Sequence, residues 1–473
     1  IIKKKMSRLI ITIIILLTFI ILVVSCVDQK DDILKKLEGS LDSFFHVKDD
    51  SNPWLAVPRL SMLRRFIEQN STAGNEQPMQ NIIASYFKSL GATDLYTIPI
   101  SKNVQQHAAF SSPHSSFSAS NVIGLTPLHE GTGRSLLFNA HIDVVPAEDA
   151  SQFVPRIVDG DKFMGRGTSD MKGGLFAVGL ALEAVHSALS THGYHLTNRV
   201  GLMSVIEEES GGAGSLASCL SPPLSTLSFD AALIPEPTDF KFFPSQQGSL
   251  WFRISIPGIA AHGATRYHGV SAIEKIPIVL SALHSLERNR TSFVRHHLSD
   301  LYPSSIPIPV PINVGVVRGG KWPSSCPDSV VLEGRMGVIP GENLTFARSQ
   351  LVSALSSLPD PFLIDHPVNV SFFGAAWPPG HLSSSHPFVS SLHRYFPSSP
   401  IEAAPWATDA GYLSLFCHVP SLVFGPGVSR VAHSSSEFIS LSSIRLYSRS
   451  LASFILDWVG FAPDFVPVDP SDL

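Results

Sequence analysis

The stretch Ser135–Val185 constrains the fold of this chain more than any other. Its first part reads SLLFNAHIDVVPAEDA, so a run of apolar residues leads directly into His141-Ile142-Asp143. This pattern predicts a buried strand that ends in two polar side chains. Because residues two apart on a strand point to the same face, the Asp143 carboxylate can accept one ring N–H of His141 while the other ring nitrogen faces a metal.

The second part of the stretch, GRGTSDMKGGLFAVGLALEAV, places Asp170 at the start of a predicted helix. Gly173 and Gly174 allow close backbone approach, and the apolar helix is expected from about Leu175 to Val185. His-x-Asp alone is more often a strand end with a polar neighbour than a metal site, but the glycine-rich acidic segment favours a metal. One ligand at a strand end and another before a helix are typical of the carboxyl edge of an α/β sheet.

Composition favours a large folded enzyme body. At 473 residues the chain is too long for one simple core, which predicts two domains. Hydrophobic residues make up 44% and charged residues 15%, which argues against disorder. The formal net charge of −5 gives no electrostatic basis for binding nucleic acid. The four cysteines are widely spread without a C-x-x-C pair, so neither a thiolate zinc site nor a disulfide framework is expected.

Residues 1–26 have the composition of a targeting segment. Three lysines and an arginine precede an apolar run over Leu9–Val24, which is a basic region followed by a hydrophobic region. Two interpretations remain open. In the first, the sequence that ends in Cys26 resembles a bacterial lipoprotein signal. In the second, the apolar run is a signal anchor, although it is slightly short for a full membrane span. Both predict a membrane-associated or secreted protein whose enzyme body lies outside the cytosol.

Residues 27–247 are predicted to form the first part of a catalytic domain. A helix is expected over Glu76–Leu90, because its apolar residues recur at helical spacing. Strands and helices alternate through this region, which indicates an α/β fold with a mainly parallel sheet and helices on both faces. The expected strands are Leu95–Ile100, Ser120–Leu125, Leu136–Asp143, Arg199–Val205 and Ala231–Ile234.

Residues 248–373 depart from this pattern and are predicted to form an inserted domain. The order of its elements is β-α-β-β-α-β, the ferredoxin-like arrangement of a lid or dimerisation domain. Pro277 is expected to make the first of its helices irregular. The chain then returns to the catalytic domain over residues 374–473, which end with a helix over Leu441–Val459. Within the insert, strands are expected at Leu250–Ile256, Ile312–Val317, Ser329–Val338 and Val368–Phe373, and helices at Val270–Leu286 and Glu342–Leu358.

Three further segments place acids or a histidine at loops that follow predicted strands. Glu207, Glu208 and Glu209 follow an apolar strand and precede a glycine-rich turn, which is unusual for a merely solvated run of acids. Glu236 lies between two prolines at another strand end, and His433 lies in a tight loop near the C-terminus. Taken alone, either of the last two would be interpreted as a surface loop residue. With the stretch described first, they supply carboxylate and imidazole groups for a metal site.

These five motifs, in this order and at these spacings, resemble the co-catalytic zinc aminoacylase and metallopeptidase family. That family includes acetylornithine deacetylase, succinyl-diaminopimelate desuccinylase, aminoacylase-1 and carboxypeptidase G, and the resemblance covers roughly residues 50–460. It implies two divalent metal ions, with Zn²⁺ favoured and Co²⁺ or Mn²⁺ as substitutes. One metal would be held by His141, Asp170 and Glu236, and the other by Asp170, Glu209 and His433.

The resemblance also implies how the reaction proceeds. Glu208 matches the general acid/base, and Asp143 matches the acid that orients the histidine ligand. The bond between Asp170 and Met171 matches a cis peptide of the family. Glu207 is a mild departure, because the family commonly has Asp at this position.

Substrate contacts are implied by three more residues. His262, in the motif Gly258–Gly263, resembles a lid histidine that supports the oxyanion, often in the partner subunit, which implies a homodimer through the inserted domain. Arg335 resembles an arginine that binds a substrate carboxylate, although an exposed strand arginine is an equal alternative. Thr408 belongs to a Thr-Asp loop near the substrate. Gln246–Gly248 stands where some desuccinylases have arginines, and Ser325–Asp328 lacks an Asn that the family often has before the Pro of this turn. Both departures argue against a dicarboxylate substrate.

The predicted function is a dinuclear metal-dependent amidohydrolase that removes the acyl group from an N-acyl amino acid or similar linear amide. A metallo-exopeptidase or dipeptidase with the same metal centre is the alternative within enzymes. A membrane-tethered, non-catalytic binding protein is a third hypothesis, and the complete set of metal-binding motifs argues against it.

Overall fold

Strands and helices alternate along most of the chain. The computed structural model describes residues 32–39, 60–129 and 131–464. The strands are β1 (Asp94–Pro99), β2 (Ser120–Leu125), β3 (Leu136–His141), β4 (Arg156–Val158), β5 (Lys162–Met164), β6 (Tyr194–Leu196), β7 (Val200–Val205), β8 (Ala231–Ile234), β9 (Phe242–Gln246), β10 (Gly248–Pro257), β11 (Ala261–His262), β12 (Ile312–Gly319), β13 (Ser325–Cys326), β14 (Ser329–Val338), β15 (Asn369–Trp377), β16 (Gly380–His381), β17 (Ile401–Ala404), β18 (Ser421–Val423), β19 (Phe438–Ser440) and β20 (Phe461–Pro463). The helices are α1 (32–39), α2 (Leu60–Glu68), α3 (Gln77–Ser89), α4 (Lys102–Gln105), α5 (Gly173–Thr191), α6 (Ala213–Cys219), α7 (Ile276–His297), α8 (Leu344–Ser356), α9 (Pro361–Asp365), α10 (Pro387–His393), α11 (Ala410–Phe416) and α12 (Leu441–Val459).

The larger sheet has nine strands and a parallel centre. Its order is β1-β2-β7-β3-β8-β18-β9-β16, with β17 paired to β9. The four adjacent strands β7, β3, β8 and β18 are parallel, whereas β2 and β9 pair with this centre in the antiparallel direction. The carboxyl ends of the four central strands therefore meet at one edge, where α/β proteins usually place their sites. The predicted α/β fold is confirmed.

Helices pack on this sheet through apolar and buried polar contacts. All residues of β3 and β7 are buried, as expected for strands covered on both faces. Helix α3 is joined to β7 by the hydroxyl of Ser204, which donates to Gln80 Oε1 at 2.9 Å. Helices α5 and α12 are joined by Ser448 Oγ, which donates to the carbonyl of Ala177 at 2.8 Å.

The inserted segment builds a second sheet with its own apolar core. Its order is β12-β14-β10-β15, and all its neighbours are antiparallel. Helix α7 lies between β10 and β12 in the chain, and α8 lies between β14 and β15, so the predicted β-α-β-β-α-β order is confirmed. Its core draws on residues between Leu250 and Ala376, and the core of the larger sheet uses none of them. Strand β15 continues to Trp377, past the boundary predicted at residue 373.

Helix α7 differs most from its predicted bounds. It begins at Ile276 rather than near Val270, and it continues to His297. Pro277 lies in its first turn, where a missing backbone N–H has no helical partner to lose. The irregularity predicted at this proline is therefore wrong, and the preceding residues form the short 3-10 turns Gly263–His268 and Ile273–Lys275.

A disulfide joins Cys219, at the end of α6, to Cys417, which follows α11. The expectation that the cysteines make no disulfide framework is wrong to this extent. The two residues are 198 positions apart in the sequence, so no local spacing could indicate the pair.

One helical stretch of the described residues, Thr168–Thr191, is long and apolar enough to cross a membrane, but 78% of its apolar window is buried inside the fold. This burial is typical of a core helix. The predicted targeting segment, including Cys26, lies outside the described residues.

Candidate metal centre

The carboxyl edge of the parallel strands carries most of the predicted ligands. His141 is the last residue of β3 and pairs in register with Val205, the last residue of β7. Glu209 follows β7 after a short turn, and Glu236 follows β8. His433 lies in the loop between β18 and β19, with a positive φ of 63°. Residues that are far apart in the chain are thereby brought to one edge of the sheet.

Asp170 is delivered by a tight turn between the sheet and α5. It lies in the π-helical turn Thr168–Lys172, and its peptide bond to Met171 is cis, as the family resemblance implied. Close packing against the end of β8 requires glycine at position 174. A Cβ atom on Gly174 would lie 2.0 Å from the carbonyl oxygen of Pro235, beside Glu236. The turn can therefore approach the end of β8 only because this residue has no side chain.

The two oxygens of Asp170 face two different histidines. Asp170 Oδ1 lies 3.0 Å from His141 Nε2, which is also 3.8 Å from Glu236 Oε1. Asp170 Oδ2 lies 3.1 Å from His433 Nε2, which is 3.0 Å from Glu209 Oε1. Two sets of three donor atoms, each within 4.8 Å of one another, thus share one carboxylate. The sets are His141, Asp170 and Glu236, and Asp170, Glu209 and His433.

The carboxylate of Asp143 lies beside His141 as predicted, but a backbone carbonyl is the closer acceptor for the imidazole. The ring Nδ1–H of His141 donates to the backbone carbonyl of Asp143 at 2.9 Å, whereas the carboxylate Oδ1 is 3.7 Å away. Asp143 Oδ2 instead accepts the backbone N–H of Glu209 at 3.0 Å. Burial raises the pKa of Asp143 to about 7, against the lowering effect of His141. The acid therefore braces a neighbouring loop, and the main chain fixes the imidazole.

A cavity of about 250 Å³ opens on the two donor sets. Four carboxylates line it, those of Asp170, Glu208, Glu209 and Glu236, and no lysine or arginine of the described residues does. Such a concentration of negative charge is costly unless cations balance it. Because imidazole and carboxylate ligands suit Zn²⁺ and similar ions, the residues present fit a pair of divalent metals.

The pKa values in the cluster reflect this crowding. Burial raises the pKa of Glu208 well above its usual value, and the charge of Glu236 adds to the increase. Burial alone would lower the pKa of His141, but the hydrogen bond with Asp170 and the charge of Glu236 raise it well above normal. Hydrogen bonds with Asp170 and Glu209 raise the pKa of His433 to about 10. Each imidazole is thus stabilised as a cation in surroundings that would equally attract a metal ion.

Glu437 supports the Asp170 turn and was not identified from the sequence. Its Oε1 accepts the backbone N–H groups of Ser169 at 2.9 Å and Asp170 at 3.1 Å. Its Oε2 is 2.7 Å from Arg166 Nη1 in an ion pair whose two side chains are at most 2% exposed. An acid in a serine-rich loop carries no local signal of such a role, because its partners are about 270 residues away.

The three predicted substrate residues are placed differently. Thr408 lines the cavity, and its hydroxyl donates to Gln246 Oε1 at 2.6 Å. His262 is exposed, and its Nδ1 accepts the backbone N–H of Ala264 at 3.1 Å. Arg335 lies on β14, with Nε donating to Ser249 Oγ at 3.4 Å. The structure brings neither His262 nor Arg335 to the lining of the cavity.

Known proteins share both the sequence pattern and the fold. The model of peptidase family M20/M25/M40 matches residues 137–457. A deformylase of N-formyl-4-amino-5-aminomethyl-2-methylpyrimidine from Halalkalibacterium halodurans is 25% identical over 69% of this chain and 79% of its own length. Acetylornithine deacetylase from Aliivibrio fischeri is 26% identical over 68% of this chain and 80% of its own length.

A solved structure extends the likeness to the fold of most of the chain. The crystal structure of a tripeptidase from Staphylococcus aureus superposes with a TM-score of 0.65 at 18% identity, covering 85% of this chain and 98% of the tripeptidase. The family match spans well over half of the chain and includes every proposed ligand. The chain therefore belongs to peptidase family M20/M25/M40, and it is a metal-dependent hydrolase of linear amide bonds.

Proposed function

We propose that this hydrolase removes the acyl group from N-acyl amino acids or similar linear amides at a centre of two Zn²⁺ ions. The observation that carries the proposal is the position of Asp170, whose two oxygens face His141 and His433 at 3.0 and 3.1 Å. A carboxylate shared in this way suits a bridge between two ions. The deformylase and the deacetylase named above support deacylation as the reaction.

Each ion would have three protein ligands. His141, Asp170 and Glu236 would hold one, and Asp170, Glu209 and His433 the other. When bound, such ions polarise the amide carbonyl and make water a stronger acid. Co²⁺ and Mn²⁺ have compatible ligand preferences and would be expected to substitute.

Glu208 is proposed to move the proton. It lines the same cavity, it belongs to neither donor set, and its buried environment raises its pKa. A carboxylate with a raised pKa can accept a proton from the attacking water and later deliver it to the leaving amine. Its role therefore differs from that of Glu209, the next residue in the chain.

The substrate would lie against the loop that contains Trp406 and Thr408, which forms one wall of the cavity. Because Gln246 holds the Thr408 hydroxyl, this wall is fixed in position. His262 and Arg335 lie outside the cavity, so we propose that they act on a substrate in a homodimer formed through the inserted sheet. In that arrangement the histidine would support the oxyanion and the arginine would bind a carboxylate.

A hydrolysis screen of the metal-loaded protein tests this proposal. N-acetyl and N-formyl amino acids should be cleaved faster than dipeptides, and Glu208→Gln should abolish turnover while about two metals per chain remain bound. If dipeptides are cleaved faster, the proposal of deacylation is wrong and the enzyme is an exopeptidase. Near-normal turnover by Glu208→Gln would reject the proton-shuttle role, and absence of turnover with every amide would favour a binding protein.

A further inference from the structure

The side chain of Glu207 binds a neighbouring loop rather than the metal cavity. It is 3% exposed and does not line the cavity, although it directly precedes Glu208. Ser112 Oγ donates to Glu207 Oε2 at 2.7 Å, and His114 Nδ1 lies 2.9 and 3.0 Å from the two carboxylate oxygens. Since an ionised carboxylate only accepts hydrogen bonds, the imidazole nitrogen is the donor. The acid is thus clamped by two donors from one segment.

The backbone of Glu207 is in a conformation that few side chains adopt. Its φ is 65°, in the left-handed region where non-glycine residues carry strain and need support from their surroundings. Its carbonyl accepts the N–H of Gly212 at 2.7 Å, and the carbonyl of Glu208 accepts the N–H of Gly211 at 3.1 Å. The direction in which Glu208 leaves the end of β7 therefore depends on the backbone conformation of Glu207.

The segment that clamps Glu207 is itself anchored. Ser111 Oγ donates to the carbonyl of Gly374 at 3.0 Å and accepts the N–H of Ala376, both on β15. Ser112 Oγ also accepts the backbone N–H of His114 at 2.9 Å. Trp377, at the end of the same strand, donates its indole N–H to the carbonyl of Glu208 at 3.2 Å. The turn that carries Glu208 is thus held from both sides by fixed elements.

We propose that His114 and Glu207 form a positioning pair that holds Glu208 in its reactive orientation. Neither side chain lines the cavity, so the pair acts through the backbone of the turn. The inference rests on the proposed function, which makes Glu208 the proton acceptor. Displacing a reacting group by about 1 Å can cost on the order of 100-fold in rate. Loss of the pair should therefore lower kcat while KM and metal content change little.

His114 is a suitable site for the test because its side chain is 39% exposed, so truncation opens no core cavity. In the metal-loaded protein, His114→Ala should lower kcat by about 10- to 100-fold. His114→Asn should recover most of this loss, since its amide N–H can take the place of Nδ1–H. Ser112→Ala removes only the 2.7 Å hydrogen bond and should lower kcat in the same direction by less.

His195 provides a matched control. Its Nδ1 lies 2.9 Å from Asp464 Oδ1 in another histidine–carboxylate pair, on β6 before the start of β7 and thus away from the end that carries Glu208. His195→Ala should leave kcat unchanged. Wild-type kcat in His114→Ala would overturn the inference. So would a loss that His114→Asn fails to recover, since that result indicates packing alone.

Glu208→Gln, assayed beside these variants, separates the two claims. If Glu208→Gln is inactive and His114→Ala has wild-type kcat, the positioning inference alone is wrong. If Glu208→Gln retains normal turnover, the proton-shuttle role in the proposed function is wrong and the positioning inference falls with it.

Discussion

Asp170 differs from the other proposed ligands because each of its oxygens has a different histidine partner. The remaining ligands each belong to one donor set. Because a shared ligand contributes to both metal sites, its loss should weaken metal binding at both. This distinction follows from side-chain geometry and can be examined one residue at a time.

Replacing the ligands individually should reveal this difference in metal content. Asp170→Ala should lose both ions, whereas His141→Ala, Glu236→Ala, Glu209→Ala and His433→Ala should each lose mainly one. Metal analysis after exhaustive dialysis is the measurement. Glu68→Ala, which removes an exposed acid from α2, is the control and should keep the wild-type content. An unchanged metal content in Asp170→Ala would refute the bridging role.

Glu437 should contribute to both stability and the metal centre. Glu437→Ala leaves Arg166 as an unpaired buried charge, which typically costs about 3–5 kcal/mol in the free energy of unfolding. It also frees the N–H groups that fix Asp170, so metal affinity should fall. Denaturant unfolding and metal titration measure the two effects.

An exposed ion pair supplies the comparison for Glu437. Glu274 pairs with Arg266, and their side chains are 55% and 62% exposed. Glu274→Ala should leave unfolding nearly unchanged, because water and salt screen such a pair. If the two substitutions lower the free energy of unfolding equally, burial of the Glu437–Arg166 ion pair adds nothing to its contribution to stability.

Helix α5 and strand β8 meet at a point where only glycine fits. Gly174→Ala would place a methyl group 2.0 Å from the carbonyl oxygen of Pro235. The backbone must shift, and overpacking of this kind costs about 1–3 kcal/mol or more. Because Asp170 and Glu236 flank the contact, Gly174→Ala should weaken metal binding as well as lower the thermal unfolding midpoint.

Gly315 on β12 is the control for this substitution, since an added Cβ would meet its nearest atom at 3.6 Å. Gly315→Ala should leave metal affinity unchanged. Wild-type metal affinity in Gly174→Ala would mean that the close approach does not set the position of Asp170.

The elements whose signals are local were predictable from the sequence. Apolar runs ending in polar residues indicated β3, β7 and β8, because buried parallel strands are mostly apolar until they reach the sheet edge. The start of α7 was misplaced because apolar spacing continues through short 3-10 turns before Pro277. Periodicity alone does not separate such turns from a helix.

Contacts between distant residues were not predictable in the same way. The Cys219–Cys417 disulfide and the Glu437–Arg166 ion pair join segments 198 and 271 positions apart. The acceptor for His141 Nδ1–H is a backbone carbonyl, which every residue possesses, so no residue type could indicate it. The sequence therefore indicated the Asp143 carboxylate, which lies 3.7 Å from His141 Nδ1, but not the backbone carbonyl that is the closer acceptor.

At the scale of the whole molecule, the inserted segment carries His262, on the two-stranded sheet β11-β13, and Arg335, on β14, but none of the proposed ligands. Substitutions there should leave the metals in place. His262→Ala should lower kcat by about 100- to 1,000-fold, as expected for loss of an oxyanion donor. Arg335→Ala should mainly raise KM for substrates with a carboxylate, because that contact stabilises ground and transition states alike. Steady-state kinetics with measured metal content separates the two.

Subunit mixing tests whether His262 acts on the cavity of a partner. Inactive His262→Ala chains mixed with inactive Glu208→Gln chains should regain part of the activity, since a mixed dimer contains one complete site. No recovery, in a preparation shown to exchange subunits, would exclude action across a dimer.

The central claim is that two metal ions lie on either side of Asp170. Anomalous diffraction at the zinc absorption edge, from crystals of the zinc-loaded protein, tests it most directly. Two peaks are expected on the order of 3.5–4 Å apart, one beside His141 and Glu236 and the other beside Glu209 and His433, with one Asp170 oxygen directed at each. A single peak, or two peaks that do not share Asp170, would contradict the account.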